Sequence, residues 1–363
     1  MQVKSHGIIS VTNESQRRFI DIVKGAAIFL MLYGHCIQYC VAGSEVDFFE
    51  NGVFKVIYAF HMPLFMLISG YLFHFSFEKY AMKELLTRRV QAMLQPIVFC
   101  SMFSFLITNG VFAVARGDFA GLLDGGWLDK LPSLWFLWSV LGAVVAVTVV
   151  CKNVKSVFLQ LPFLVLMTAL VAFLPNATEN IFMYPYFLIG FYFARYKEKF
   201  PVYVCKAKYL SLLLFPIMMC FYEKKHFIYI TGLISADYSF ADMCLIDGFR
   251  WVIGLVGAVF ALTVLELLFR KGVLVGIVSL WLEKLGKKSL QIYALSLPLL
   301  SSLLSRGLPA VLQYLGIENI FVRNMIIYNF VFTLSLAVVY AVGLYLVVRL
   351  LEKAKISKIL FGR

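Results

Sequence analysis

The chain alternates long apolar runs with short polar ones, and the run lengths are informative. A helix of about 17 to 25 mostly apolar residues crosses a ~30 Å hydrocarbon core. Ten such windows occur, with approximate limits Phe19–Val41, Gly52–Phe75, Ala92–Ala115, Ser133–Val150, Val157–Leu174, Ile181–Ala194, Tyr209–Ile230, Leu245–Phe269, Ser289–Ser305 and Met325–Leu350. The sixth is short, and the ninth is closed by Ser301, Ser302 and Ser305. The pattern predicts an all-α polytopic membrane bundle of about ten transmembrane helices. A cytoplasmic segment, 1–18, precedes a membrane domain over 19–351, and a basic cytoplasmic tail follows over 352–363.

Composition supports this class. Of 363 residues, 61% are hydrophobic and only 15% charged, too apolar for a soluble domain of this length. A net charge of +13 would suit a nucleic-acid partner, but the basic residues are scattered between apolar runs rather than massed on one module, so none is expected. Their placement is topological. With the N-terminus inside, inner segments hold 24 of the 33 Lys and Arg and outer segments 8, the excess that cytoplasmic segments carry. Both termini are then cytoplasmic. The first run begins after about 18 polar residues, unlike a signal peptide, so the first span is expected to stay as an anchor. Seven cysteines show no CxxC and no metal-ligand spacing, so they read as small apolar packing residues, with no metal expected.

Ionisable residues inside spans are expensive and point to chemistry. The first span carries Asp21, Lys24 and His35. Asp21 and Lys24 lie within its first turn or two, where a lysine can also snorkel to the headgroups. His35 lies roughly 22 Å beyond Ile20 along a helix, deep in the core. In the second span, His61 is followed by Pro63, which frees a backbone carbonyl and predicts a polar cavity nearby. His61 lies roughly 13 Å, and His35 roughly 8 Å, below the outer surface. The two imidazoles are therefore expected to share a site in the outer half of the membrane, although His61 also suits a purely local bond at the proline. Ser69 and Gly70 give span two a small face for close packing.

Two stretches, RRFIDIVKGAAIFLMLYGH and FHMPLFMLISGYLF, resemble the integral membrane acyltransferase-3 family, which contains many bacterial O-acetyltransferases of surface polysaccharides. LWFLWSVL at Leu134–Leu141, YPYFLIGFYFARY at Tyr184–Tyr196 and LGKKSLQIYALSLPL at Leu285–Leu299 are similar to the family's later landmarks, in order. Three departures stand out. Lys24 stands where the family usually has Arg, keeping the charge but losing the planar fork. Arg88 and Arg89 are adjacent, where the family separates two arginines ahead of a proline. Ser296 replaces a His that many members carry after the GKKSLQIY stretch.

The resemblance implies transfer of an acyl group, usually acetyl from acetyl-CoA as co-substrate, to a sugar hydroxyl of a cell-surface or lipid-linked glycan. Such a reaction needs a base for the hydroxyl proton and a cationic place for the CoA phosphates. His35 is the expected base or, in the other reading, a transient acyl carrier. His61 would orient it, bind the acceptor or polarise the thioester. Lys24, Arg88 and Arg89 are the expected donor-phosphate contacts. Trp135 either stacks on a sugar ring or belongs to an aromatic belt with Trp127 and Trp138. Asp247 and Arg250 share a helix face and either bind sugar hydroxyls or form a local ion pair. The expected location is a bacterial inner or plasma membrane. The rival reading of the same buried charges is a transporter or flippase of a lipid-linked sugar or small solute.

Overall fold

Each of the ten apolar windows is helical in whole or in part, and no strand occurs among the described residues. The computed structural model describes residues 14–40, 47–116, 127–199, 201–272, 276–302 and 324–361. Val41, Ser305, most of the 1–18 segment and the last two residues of the tail lie outside them. The helices in order are α1 Glu14–Cys40, α2 Gly52–Lys79, α3 Met82–Arg116, α4 Trp135–Asn153, α5 Val157–Ala172, α6 Ala177–Tyr196 and α7 Pro201–Met219. There follow the single turn α8 Ile228–Thr231, then α9 Phe240–Arg270, α10 Ile277–Lys287, α11 Ser289–Ser302, α12 Leu334–Lys353 and α13 Ser357–Phe361.

Among the described residues, seven helical runs are long and apolar enough to cross a bilayer: α1, α2, Met82–Ile107 of α3, Leu128–Asn153, α7, α9 and Ile327–Lys353. The protein is a multi-pass membrane protein. Its surface fits that solvent, with Phe158 87% and Val165 68% exposed on α5, an arrangement that water would not tolerate over a whole helix face.

Three boundaries differ from the hydrophobic windows. α3 begins at Met82 rather than near Ala92, because MKELLTRRVQ holds strong helix formers and no breaker, so Arg88 and Arg89 lie on a helix and not in a loop. α7 ends at Met219 rather than Ile230, where a turn and the polar run Glu223–His226 take over. α10 forms where a basic inner segment was expected, since IVSLWLEKLGK is amphipathic at helical spacing.

The chain forms two compact units. The first takes the described residues up to Ala27, together with Tyr58–Thr87 and Ser139–Lys287. Within it α2 and α6 pack backbone to backbone. A Cβ on Gly70 would stand 2.0 Å from the Phe187 carbonyl oxygen, and one on Gly190 would stand 2.0 Å from that of Leu67. Small residues permit this approach, which is how membrane helices gain packing energy when apolar burial offers none. The start of α1 meets α10 equally closely through Gly286, with Arg18 paired to Glu283 at 3.0 Å.

The second unit takes the described residues of Ile28–Ile57, of Arg88–Trp138 and of the chain from Lys288 onward. Its core is knit by hydrogen bonds between the latter half of α1 and a π-helical segment, Ile327–Thr333, which leads into α12. The Tyr33 hydroxyl donates to the Asn329 carbonyl at 2.8 Å, and that of Tyr328 to the Ile37 carbonyl at 2.7 Å. Asn51, at the start of α2, donates from Nδ2 to Asn329 Oδ1 at 2.8 Å.

Candidate active site

The first unit contains a cavity of about 30 Å³, large enough to hold water. His61 lines it from α2, with Ala59 and Pro63. Pro63 has no N–H to return to the carbonyl four residues back, that of Ala59, so a polar backbone atom is released at the cavity wall. His61 is 3% exposed, and its ring lies 4.7 Å from that of Tyr58.

The opposing wall comes from the segment after α7. Tyr222, His226 and Phe227 line the same cavity, as does Arg250 from α9. His226 closes the short 3-10 turn Lys224–His226. Its Nδ1 accepts the Glu223 backbone N–H at 2.9 Å, so in the neutral ring the proton resides on Nε2. Burial above all, aided by the charge of Lys225, pushes this imidazole down to about 4. It is therefore neutral near pH 7, with one ring nitrogen accepting from the backbone and one N–H to donate.

Arg250 holds this wall in place. Nε donates to the His226 carbonyl at 3.1 Å. Nη1 donates to the Gly232 carbonyl and to Asp247 Oδ1, both at 2.6 Å. Nη2 donates to the Lys225 carbonyl at 2.7 Å and to Thr231 Oγ1. All five guanidinium N–H groups are thereby engaged, and the side chain is buried. One cation organises the eight residues from Lys225 to Gly232.

His35 belongs to the second unit. Its Nδ1 lies 3.4 Å from Gln38 Oε1, and its ring stacks on Tyr39 with centroids 5.7 Å apart. The neighbouring turns of α1 are fixed by the Tyr33 and Tyr328 bonds given above.

These landmarks fall within one continuous match. A family model described as an acyltransferase domain matches residues 17–348, nearly the whole chain. The chain belongs to the acyltransferase-3 family. It is 32% identical to nodulation protein NolL of Sinorhizobium fredii over 184 residues, 49% of each chain. It is 28% identical to nodulation protein NolL of Mesorhizobium japonicum over 219 residues, 56% of this chain and 57% of that one. The chain thus spans about half the length of the curated relatives it matches. No solved structure matches it.

The family's positions take definite places in this acyltransferase-3 chain. Lys24 pairs with Asp21 at 2.6 Å, one turn away on α1 in the first unit. Arg88 is exposed and Arg89 half-buried, both on α3. Trp135 opens α4 half-buried, with its ring edge-on to Phe136. Trp138 donates from its indole N–H to the Leu131 carbonyl at 3.0 Å. The side chain of Trp127 lies outside the described residues. Ser296 is fully buried and its hydroxyl donates to the Tyr293 carbonyl at 2.8 Å, so it is occupied by its own helix. Of the residues singled out from the sequence, His61 and Arg250 meet at one cavity, with Asp247 bound to the latter. His226 was missed. Its available signal was Glu223 three residues ahead, the spacing of a reciprocal cap at the start of a turn.

Proposed function

We propose that the protein is a membrane-embedded O-acetyltransferase that moves acetyl from cytoplasmic acetyl-CoA to a hydroxyl of a cell-surface or lipid-linked glycan. The observation that carries this reading is the acyltransferase-domain match over residues 17–348. Imidazoles on membrane helices, His61 buried and His35 half-buried, support it, because transfer to a hydroxyl needs a base near neutral pH.

In this scheme His35 takes the proton from the acceptor hydroxyl as its oxygen attacks the thioester carbonyl carbon. The C–S bond then breaks, and the departing sulfur leaves as the CoA thiol once protonated. His61 contacts the acceptor and orients it. His226 contributes differently: with Nδ1 committed to the backbone, it offers an N–H and no basic nitrogen. That polarity suits an acceptor oxygen entering the cavity that His61 lines. Asp247 meets sugar hydroxyls while Arg250 fixes both it and the His226 loop, and Trp135 stacks on a sugar ring. Lys24, Arg88 and Arg89 meet the donor phosphates from the cytoplasmic rim.

The reading is tested by supplying acetyl-CoA and a glycan extract to the full-length protein in nanodiscs and following free CoA thiol. Thiol release that requires both protein and glycan is expected. Movement of a lipid-linked sugar across the bilayer without thiol release would replace the enzyme by a flippase.

A further inference from the structure

A second cluster lies in the first unit, where the ends of α2, α4 and α6 come together. The His74 and Phe77 rings of α2 lie 5.6 and 5.2 Å from Phe191 of α6. Lys152, at the end of α4, donates to the Phe77 carbonyl at 2.6 Å. Arg195 stands in the last turn of α6, and Lys197, 8% exposed, follows and donates to the Tyr71 hydroxyl at 3.0 Å. Four basic side chains thus converge, faced by two exposed carboxylates, Glu78 and Glu198.

Helix C-termini attract cations through their unpaired carbonyls, and this accounts for Lys152. It does not account for two buried nitrogens. Arg195 Nη1 makes no hydrogen bond among the described residues, nor does His74 Nδ1, which stands 4.0 Å from Glu78. Buried polar nitrogens are nearly always satisfied, and an orphan beside other cations marks a place where acceptor oxygens belong. A phosphate supplies them, matching both the guanidinium fork and the ammonium point charge. Beside the cluster, the Tyr192 and Tyr196 rings lie parallel with centroids 6.3 Å apart, and the Arg195 guanidinium stands over the Tyr196 ring, 5.5 Å from its centroid, so the aromatic pair positions this cation.

We propose that Arg195, Lys197 and His74, with Lys152 at their edge, form a phosphate-binding site that takes the nucleotide phosphates of the acyl donor. The assignment rests on the acyl-CoA reading above and adds a half-buried set, with Lys197 fully buried, to the rim cations already named. It also agrees with the charge pattern, which expects these three helix ends on the cytoplasmic side.

The test is equilibrium binding of CoA to the full-length protein in nanodiscs of zwitterionic lipid. Arg195→Gln and Lys197→Gln are each expected to weaken CoA at least tenfold and to flatten its salt dependence, with 3′,5′-ADP competing in the wild type. Arg195→Lys should retain most of the affinity. If a glutamine variant melts below the assay temperature, Lys152→Gln takes its place. Wild-type affinity in folded variants overturns the proposal. Discs containing phosphatidylglycerol separate the other phosphate source: no CoA binding, with lipid-dependent melting lost in the variants, would make this a headgroup site and overturn the donor assignment. Cluster-dependent CoA binding without acetyl transfer would instead retain the site and overturn the acetyltransferase reading.

Discussion

Arg250 donates from Nε to the carbonyl oxygen of His226 at 3.1 Å, so a buried cation on a membrane-spanning helix fixes the loop that carries a buried imidazole. The pairing joins what the sequence kept apart. Arg250 and Asp247 were legible as neighbours on a helix face, whereas the other partners, Lys225, His226, Thr231 and Gly232, lie 18 to 25 residues away in a loop.

Replacing Arg250 tests this clamp. Arg250→Leu leaves Asp247 and three carbonyls without their donor, and breaking a buried pair in this way costs about 3–5 kcal/mol. A large drop in melting temperature in detergent is expected. Arg250→Lys, which keeps the charge but not the fork, should fall between the two. An unchanged melting temperature for Arg250→Leu would mean that the loop is held by other contacts.

His226 gives the protein an acid-sensitive stability. Its folded value of about 4 lies below the 6.5 of a free imidazole, chiefly through burial. Between these values the unfolded chain binds a proton that the folded chain refuses, so this contribution is complete above about pH 6.5 and falls as pH drops towards 4. Melting temperatures measured from pH 7 to 4.5 should decline less steeply in His226→Gln than in the wild type. Parallel curves would show that the imidazole is not the group responsible.

Lys24 offers a conservative change with a signed expectation. It pairs with Asp21 at 2.6 Å, and an arginine there can grip the same carboxylate and a phosphate together. Lys24→Arg should keep or raise acetyl transfer at saturating glycan. Complete loss would show that the compact ammonium is required.

The Gly70 contact makes a steric prediction. Gly70→Ala places a methyl group 2.0 Å from the Phe187 carbonyl oxygen, so α2 and α6 must separate. A destabilisation of about 1–3 kcal/mol is typical of such overpacking. It should appear as lower melting temperature and reduced yield in membranes.

The helices were legible because an apolar run of spanning length has few other ways to fold in lipid, and His35 and His61 because an imidazole in such a run is costly. Pro63 also pointed correctly to a cavity beside His61. The failures share a physical origin. α10 and the start of α3 are basic as well as helical, and reading charge as topology hid their helical periodicity. His226 sits in a charged turn that resembles any surface loop, and tertiary contacts, Arg250 on its carbonyl and Phe249 on its ring, hold it inward. The unsatisfied nitrogens of Arg195 and His74 depend on packing between helices distant in sequence, which no local pattern encodes.

The most direct measurement is transfer of label from acetyl-CoA, supplied on the cytoplasmic face of membranes, into the glycan fraction, with wild type and His35→Ala side by side at equal protein level. A general base contributes about 10²–10⁴-fold, so the variant should show at most about one hundredth of the wild-type rate. Transfer by His35→Ala at the wild-type rate would contradict the account.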